Sequence, residues 1–321
     1  MPSGFWSQLK APFFVLAPMI GVTDSAFRQM FCCAGKPDVL WTEFTSADGL
    51  CSAGKEALMD NLYFEPRERP IVAQIFGKTP ENFFKVAEML AQMGFDGIDI
   101  NMGCPDKNVL KQKSGAYLIN TPRIAQEIIK ATREGAPNLP VSVKTRLGYN
   151  KIETDEWIPY LLEMNISALT IHGRTRKEMS KVPADWDEIA KVVQIVKQSG
   201  KKTLVIGNGD VASMADAREK VREFGVDGVM IGRGVFGNPL FFNESPEVQN
   251  PTVEQKLQLL LDHTLLFDKL FSGKKSFALM KKHFASYISG FPYTKDIKIA
   301  LMEAKDAGEV KGVIKAHLGE K

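Results

Sequence analysis

"FFVLAPMIGVTD", residues 13–24, runs as an apolar strand and then breaks on Pro18. This stretch decides between two architectures. Short β-branched runs alternating with amphipathic stretches build either a doubly wound open sheet or a (β/α)8 barrel. The dinucleotide-binding open sheet carries GxGxxG after an early strand, whereas here the strand runs into Ala17-Pro18-Met19-Ile20-Gly21. The barrel is the expected fold. Seven further strand-like runs follow, at 39–44, 71–77, 97–103, 141–148, 168–175, 203–210 and 228–234. Helical stretches between them open on Thr79-Pro80, Thr121-Pro122 or Asp185 and close on glycine.

The barrel is expected to occupy residues 1–245. Beyond Pro246 and Pro251, three helical stretches at 252–273, 276–290 and 294–319 predict a small helical domain over 246–321. That segment holds twelve Lys against nine Asp plus Glu, which accounts for the whole net charge of +3. A polyanionic partner fits this excess, and so does a merely solvated lysine face.

Other classes are disfavoured. No apolar run approaches the ~20 residues of a membrane helix. The start, broken by Pro12 and Pro18, lacks the long apolar run of a signal peptide, so a cytoplasmic protein is expected. The four cysteines (32, 33, 51 and 104) form no CxxC, and the four histidines are scattered. No metal is expected.

Barrels place their chemistry at the carboxyl ends of the strands. Those ends carry Met19, Glu43, Gln74, Asn101 with Cys104, Lys144 with Arg146, His172 with Arg174, Asn208, and Gly232 with Arg233. So many polar groups suit a planar, hydrogen-bonding ligand. "GNGD" (207–210) and "GRG" (232–234) add glycine-flanked N–H groups where barrels bind phosphate. Flavin mononucleotide and a sugar phosphate both fit. Gly103 and Pro105 set the Cys104 thiol on a tight turn after the fourth strand, where a core thiol would more naturally lie mid-strand.

"APMIGVTDSAFR", "QIFG", "DINMGCPDKNVLKQKSGAYL", "VKTRLG", "IHGRTR" with "ADW", "IGNGDV" and "IGRGVFGNP" together resemble the tRNA-dihydrouridine synthases, in that family's order over residues 15–239. "KKHFASYISGFP" resembles the family's helical domain, and the spacing is similar to the bacterial B-type enzymes. The resemblance implies FMN-dependent reduction of the C5–C6 bond of selected tRNA uridines, with NADPH, or else NADH, as electron source. Pro18, Met19 and Ile20 would then run along the isoalloxazine, and Gln74 would bond its pyrimidine edge. Lys144 and His172 would lie against the flavin, and Asn208, Gly209, Asp210, Gly232 and Arg233 would hold the ribityl phosphate. Asn101 would touch the uracil and Cys104 would be the catalytic acid. Around the mouth, Arg146, Arg174 and Arg176 are expected to engage RNA or to pair with carboxylates.

In the tail, Lys274, Lys275, Lys281, Lys282 and His283 form the best basic cluster for tRNA. Tyr287 and Phe291 either stack on a base or pack within the helices. Lys144 has a second reading, a salt bridge to Glu43 or Asp99. The family's usual aromatic and glycine between "HGRTR" and "ADW" are replaced by "KEMSKVP", residues 177–183. A monomer is expected, because tRNA must reach both domains. The competing enzyme class is a small-molecule flavin oxidoreductase of the dihydroorotate dehydrogenase kind, with the cysteine as base.

Overall fold

The computed structural model describes residues 4–248, 251–290 and 295–318. Among the described residues nine parallel strands are formed: β1 (Phe13–Leu16), β2 (Leu40–Trp41), β3 (Thr45–Ser46), β4 (Ile71–Phe76), β5 (Gly97–Met102), β6 (Val141–Arg146), β7 (Ala168–His172), β8 (Leu204–Asn208) and β9 (Gly228–Ile231). They pair in the order β1-β9-β8-β7-β6-β5-β4-β2, with β3 added to β4. A parallel bridge from Val15 to Val39 closes the ring, supported by Asp38 N–H donating to Phe14 O at 2.9 Å. The eight-stranded barrel expected from the alternation is present.

Side chains on a strand alternate between two faces. Phe13, Val15, Ala17, Val39, Trp41, Val72, Ala168, Ile206 and Met230 form one buried apolar cluster, plugged by Trp6 from the 3-10 helix Gly4–Gln8. The alternate positions, such as Ile98, Ile100, Val143 and Ile171, pack outward against the helices. The interior is not apolar throughout. Gln74 pairs in register with Asp99 and Asp99 with Ser142, while Asn101 pairs with Lys144. A polar sector thus rises through β4–β6 towards the mouth.

The predicted strand 39–44 is interrupted. Trp41 lies opposite Val72, yet Thr45 lies opposite Ile75, so one strand has a residue more than its partner. This is a bulge, which re-aims side chains. Thr42 Oγ1 accepts the Gln74 N–H at 3.1 Å, and Glu43 and Phe44 are left at the mouth.

The tail is helical, with one division missed from the sequence. The stretch 294–319 splits into Lys295–Glu303 and Ala307–Leu318, because Asp306 accepts the Glu309 N–H and Glu309 reaches back to the Lys305 N–H. The Asp306 bond is an N-cap that starts a new helix. The tail has its own apolar cluster, shared with Ala26 of the first barrel helix. Phe27 of that helix lies against His263 at 5.2 Å and His283 at 4.7 Å. Among the described residues no helix is long and apolar enough to cross a membrane.

Trp6 is 1% exposed and lies 6.0 Å from the Trp41 ring. Truncating a buried tryptophan costs about 3–5 kcal/mol. Urea unfolding of Trp6→Ala is expected to show a loss of that size, as a single cooperative barrel transition at a lower midpoint.

Candidate active site

Two adjoining cavities open at the carboxyl ends of the strands, of about 590 and 580 Å³. Pro18, Met19, Lys144 and His172 line both. The first also takes in Ile20, Asn101, Cys104, Arg146, Phe44 and Phe76. The second runs past Arg174, Asn208, Gly209, Asp210, Gly232 and Arg233. The sequence-predicted site is therefore largely one continuous place.

The Cys104 turn is clamped from several sides. Asn101 Oδ1 accepts the N–H groups of Gly103 at 3.1 Å and Cys104 at 2.9 Å. Arg146 Nε donates to Gly103 O at 2.7 Å, and Cys104 O accepts the Ala116 N–H at 3.1 Å. Gly115, at φ +62°, packs so closely that a Cβ there would lie 2.9 Å from Cys104 O. The glycine of "KSGAYL" is thereby explained. Burial pushes the Cys104 thiol above its ordinary pKa, with the Asp106 N–H and the cations Arg146 and Lys144 opposing.

Asn101 is oriented from beneath. Its Nδ2 donates to Gln74 Oε1 at 3.0 Å, and Gln74 Nε2 donates to Asp99 Oδ2 at 2.6 Å. Ser142 Oγ donates to the other Asp99 oxygen at 2.5 Å. Gln74 is fully buried, and its Oε1 and one Nε2–H serve this relay. Asp99 is pushed up to about 6 by burial, against its hydrogen bonds from Ser142 and Gln74.

The basic groups are also desolvated. Lys144 donates to Asn208 Oδ1 at 3.1 Å, and burial, helped by Arg146, lowers its pKa to about 8. Neither carboxylate suggested by the sequence is its ion-pair partner, since Glu43 pairs with Lys275. His172 is held well below its ordinary value by burial and then by Lys144, Arg146, Arg174 and Arg233. Its Nε2 lies 3.1 Å from Arg174 Nη1. Arginine only donates, so Nε2 is the acceptor and the proton sits on Nδ1.

The arginines expected to engage RNA have other partners. Besides Gly103, Arg146 holds the carbonyls of Thr175 at 3.1 Å and Met179 at 2.9 Å. Arg174 holds Val182 O at 2.6 Å and pairs with Asp210. Both strap down the loop 175–183, whose sequence departs from the family pattern. Arg176 lies over the Tyr149 ring at 4.7 Å and lines neither cavity.

The basic tail cluster is corrected. Lys281 Nζ donates to Met302 O at 2.7 Å, capping the helix Lys295–Glu303. Lys275 is inserted against Glu43. His283 is buried, and burial drives it down to about 3. Lys282 reaches over Gly21, and both Lys282 and Lys274 remain exposed. Tyr287 is buried, with its hydroxyl 3.2 Å from His263 Nδ1, while Phe291 lies outside the described residues.

The second cavity suits a phosphate-bearing planar cofactor. A Cβ at Gly232 would project towards Ala17 and the Met19 sulfur, at 3.7 and 3.9 Å, so the bare backbone keeps that wall open. Asp210 gathers Arg174 and Arg233, the latter at 3.0 Å. A carboxylate repels an anion, so Asp210 serves this corner through its two guanidinium partners. The reading from sequence missed Phe44, Phe76, Asn108 and Gln112 in the first cavity. Phe76 was accessible from the period of two that aims Val72 and Gln74 inward, whereas Phe44 depends on the bulge.

This constellation defines a (β/α)8 barrel with a glycine-rich polar corner and a thiol at its mouth. Solved structures share the fold. Morphinone reductase in complex with tetrahydroNAD matches at a TM-score of 0.50 and 13% identity, over 78% of this chain and 92% of that one. A variant of NCR from Zymomonas mobilis matches at 0.51 and 18%, over 80% and 96%. The family described as dihydrouridine synthase (Dus) matches residues 15–320. A probable tRNA-dihydrouridine synthase of Staphylococcus aureus (strain MRSA252) is 41% identical over 98% of this chain and 95% of its own. Probable tRNA-dihydrouridine synthase 2 of Bacillus subtilis (strain 168) is 40% identical over 98% and 96%. The chain belongs to the dihydrouridine synthase family, which are oxidoreductases, and of the two enzyme classes that the sequence left open this is the first.

A half-buried thiol of raised pKa has a measurable signature. Iodoacetamide labelling of Cys104, followed by peptide mass spectrometry, is expected to accelerate only above the ~8.5 of a free thiol. A midpoint below that value would contradict the protonated thiol described here.

Proposed function

We propose that the chain reduces the C5–C6 bond of particular uridines in tRNA, with FMN as bound cofactor and NADPH as electron source. The observation that carries this reading is one cavity lined by Cys104, Asn101, Met19, Lys144 and His172. The residues for the cofactor are Pro18, Met19, Lys144 and His172 along its ring system, with Asn208, Gly209, Gly232 and Arg233 towards its phosphate. When bound, the flavin supplies a hydride to C6 of the uracil.

The chain's own residues supply the rest. Hydride addition at C6 builds negative charge at C5 and the neighbouring carbonyl, so a proton must arrive at C5. Cys104 is the donor, and burial holds its thiol in the protonated form this needs. The Asn101 and Arg146 bonds keep the turn in place while the proton moves. Lys144, cationic below about 8, balances negative charge on the cofactor's ring system. His172 offers its Nδ1–H as a neutral donor. A tRNA base must leave its stack to reach this depth. The loop 175–183 and the helical segment 246–321 are the surfaces assigned to the rest of the RNA, with Lys274, Lys298 and Lys311 among the exposed lysines. The chain acts on tRNA in the cytoplasm, as a monomer whose mouth and tail are both open to one RNA.

The direct test is to map dihydrouridine in tRNA from cells with and without the gene. Loss of the modified base at defined positions is expected, and an unchanged map would overturn the reading. In purified protein, Cys104→Ala is expected to retain flavin and NADPH oxidation while base reduction falls about 10²–10⁴-fold, the range for a lost general acid. Full base reduction by that variant would remove the acid role. Raising ionic strength is expected to raise the KM for tRNA steeply, through lost phosphate contacts, with NADPH oxidation in the absence of RNA little changed.

A further inference from the structure

Glu43 is delivered to the barrel mouth by the bulge and is 2% exposed. Its two oxygens have partners from opposite ends of the chain. Oε1 accepts the N–H of Gly21, and Oε2 accepts Lys275 Nζ at 2.5 Å, across 232 residues. The Lys275 side chain is itself only 9% exposed and lies over the Phe271 ring at 4.7 Å. It belongs to the turn that follows the helix Val253–Phe271.

Gly21 sits where this linkage meets the cleft. Its φ of +64° disfavours any side chain, and Lys282 Nζ with Leu279 Cδ2 closes over its α-carbon. The two residues before it, Met19 and Ile20, line the cavity that holds Cys104, and Met19 also lines the phosphate-side cavity. A second buried carboxylate, Asp24, lies near Glu43. It is pushed up to about 6 by burial and then by Glu43, with Lys275 the first of the groups opposing it. Without Lys275, Glu43 would be a buried carboxylate with one N–H for company, which is costly.

We propose that Lys275 is a positioning residue for the cofactor cleft: it pairs with Glu43, Glu43 holds the Gly21 N–H, and the wall Pro18–Gly21 is thereby fixed. The helical segment is then part of the cofactor site as well as a surface for RNA. This rests on the cleft being the flavin site.

Lys275→Met alone strands a buried carboxylate, so two charge-free doubles are compared. Glu43→Gln with Lys275→Met keeps an acceptor for Gly21, and Glu43→Ala with Lys275→Met removes it. Deuterium uptake of the peptide 17–24 in the flavin-free protein is expected to be slowest in the wild type, faster in Gln/Met, which lacks only the Lys275 pairing, and fastest in Ala/Met; equal uptake in wild type and Gln/Met would overturn the role of Lys275. FMN titration by fluorescence is expected to give a Kd about tenfold higher for Ala/Met than for Gln/Met, the factor one buried hydrogen bond carries. Equal uptake and equal Kd in the two doubles would overturn the proposal, as would a change confined to the KM for tRNA. Wild-type protein that binds no FMN would instead defeat the flavin reading, and the uptake comparison would still decide the linkage.

Discussion

A parallel barrel buries its interior, and a buried polar group must find a hydrogen-bond partner or cost the fold dearly. On β4–β6 the inward positions include Gln74, Asp99, Asn101, Ser142 and Lys144, and the site follows from how these satisfy one another. Asp99 only accepts while ionised, so it takes Ser142 Oγ–H on one oxygen and Gln74 Nε2 on the other. Gln74 then has only its carbonyl left for Asn101 Nδ2. Asn101 in turn has only its own carbonyl left for the N–H groups of Gly103 and Cys104. One carboxylate thus sets the polarity of three links and the orientation of the turn that carries the thiol. Burial opposes the ionised form that the relay uses, which is why Asp99 is pushed up to about 6.

The same desolvation acts on acids and bases with opposite signs, and both shifts favour uncharged forms. The Cys104 thiol is pushed up and stays protonated at neutral pH. His172 is pushed down and stays neutral. Lys144 stands at about 8, close to the pH at which it would lose its proton. Arginine remains as the fixed positive charge, and here its donors are spent on carbonyls and on Asp210. A cleft built in this way holds neutral donors ready at neutral pH, with Lys144 and the guanidinium groups as its positive charge. That suits a reaction which builds negative charge on a bound ring and then quenches it with a proton.

What could be read from the sequence was whatever short-range periodicity encodes. The alternation of β-branched runs and amphipathic helices placed the barrel, and the rule that chemistry gathers at strand ends placed Cys104, Lys144, His172 and Asn208 on one cleft. What escaped depends on registers and partners far along the chain. The extra residue between Trp41 and Thr45 is visible only once those strands are laid against β4. Arg146 and Arg174 read as cations for RNA or for a carboxylate, and Arg174 does pair with Asp210, whereas the loop carbonyls that both also hold are something composition cannot show. The break at Asp306 was legible, since Asp306 and Glu309 stand three residues apart at a helix start, but the amphipathic pattern on either side ran through it.

The charge asymmetry of the tail shows how a correct composition can point to the wrong atoms. A lysine on a solvated face and a lysine inserted into a barrel mouth have the same local sequence context, because the difference lies in what the fold brings opposite. Lys275 is met by Glu43 and Lys281 by the Met302 carbonyl. His283 is enclosed by Phe27 and His263. Of the cluster that looked most suited to RNA, Lys275 and the buried His283 therefore belong to the joint between the tail and the barrel, and Lys281 serves a bond within the tail. Positive charge available to a phosphate backbone must come from lysines that the joint leaves outside, such as Lys298 and Lys311 on the later helices. An RNA gripped there would reach the barrel mouth across the junction at which Lys275 meets Glu43.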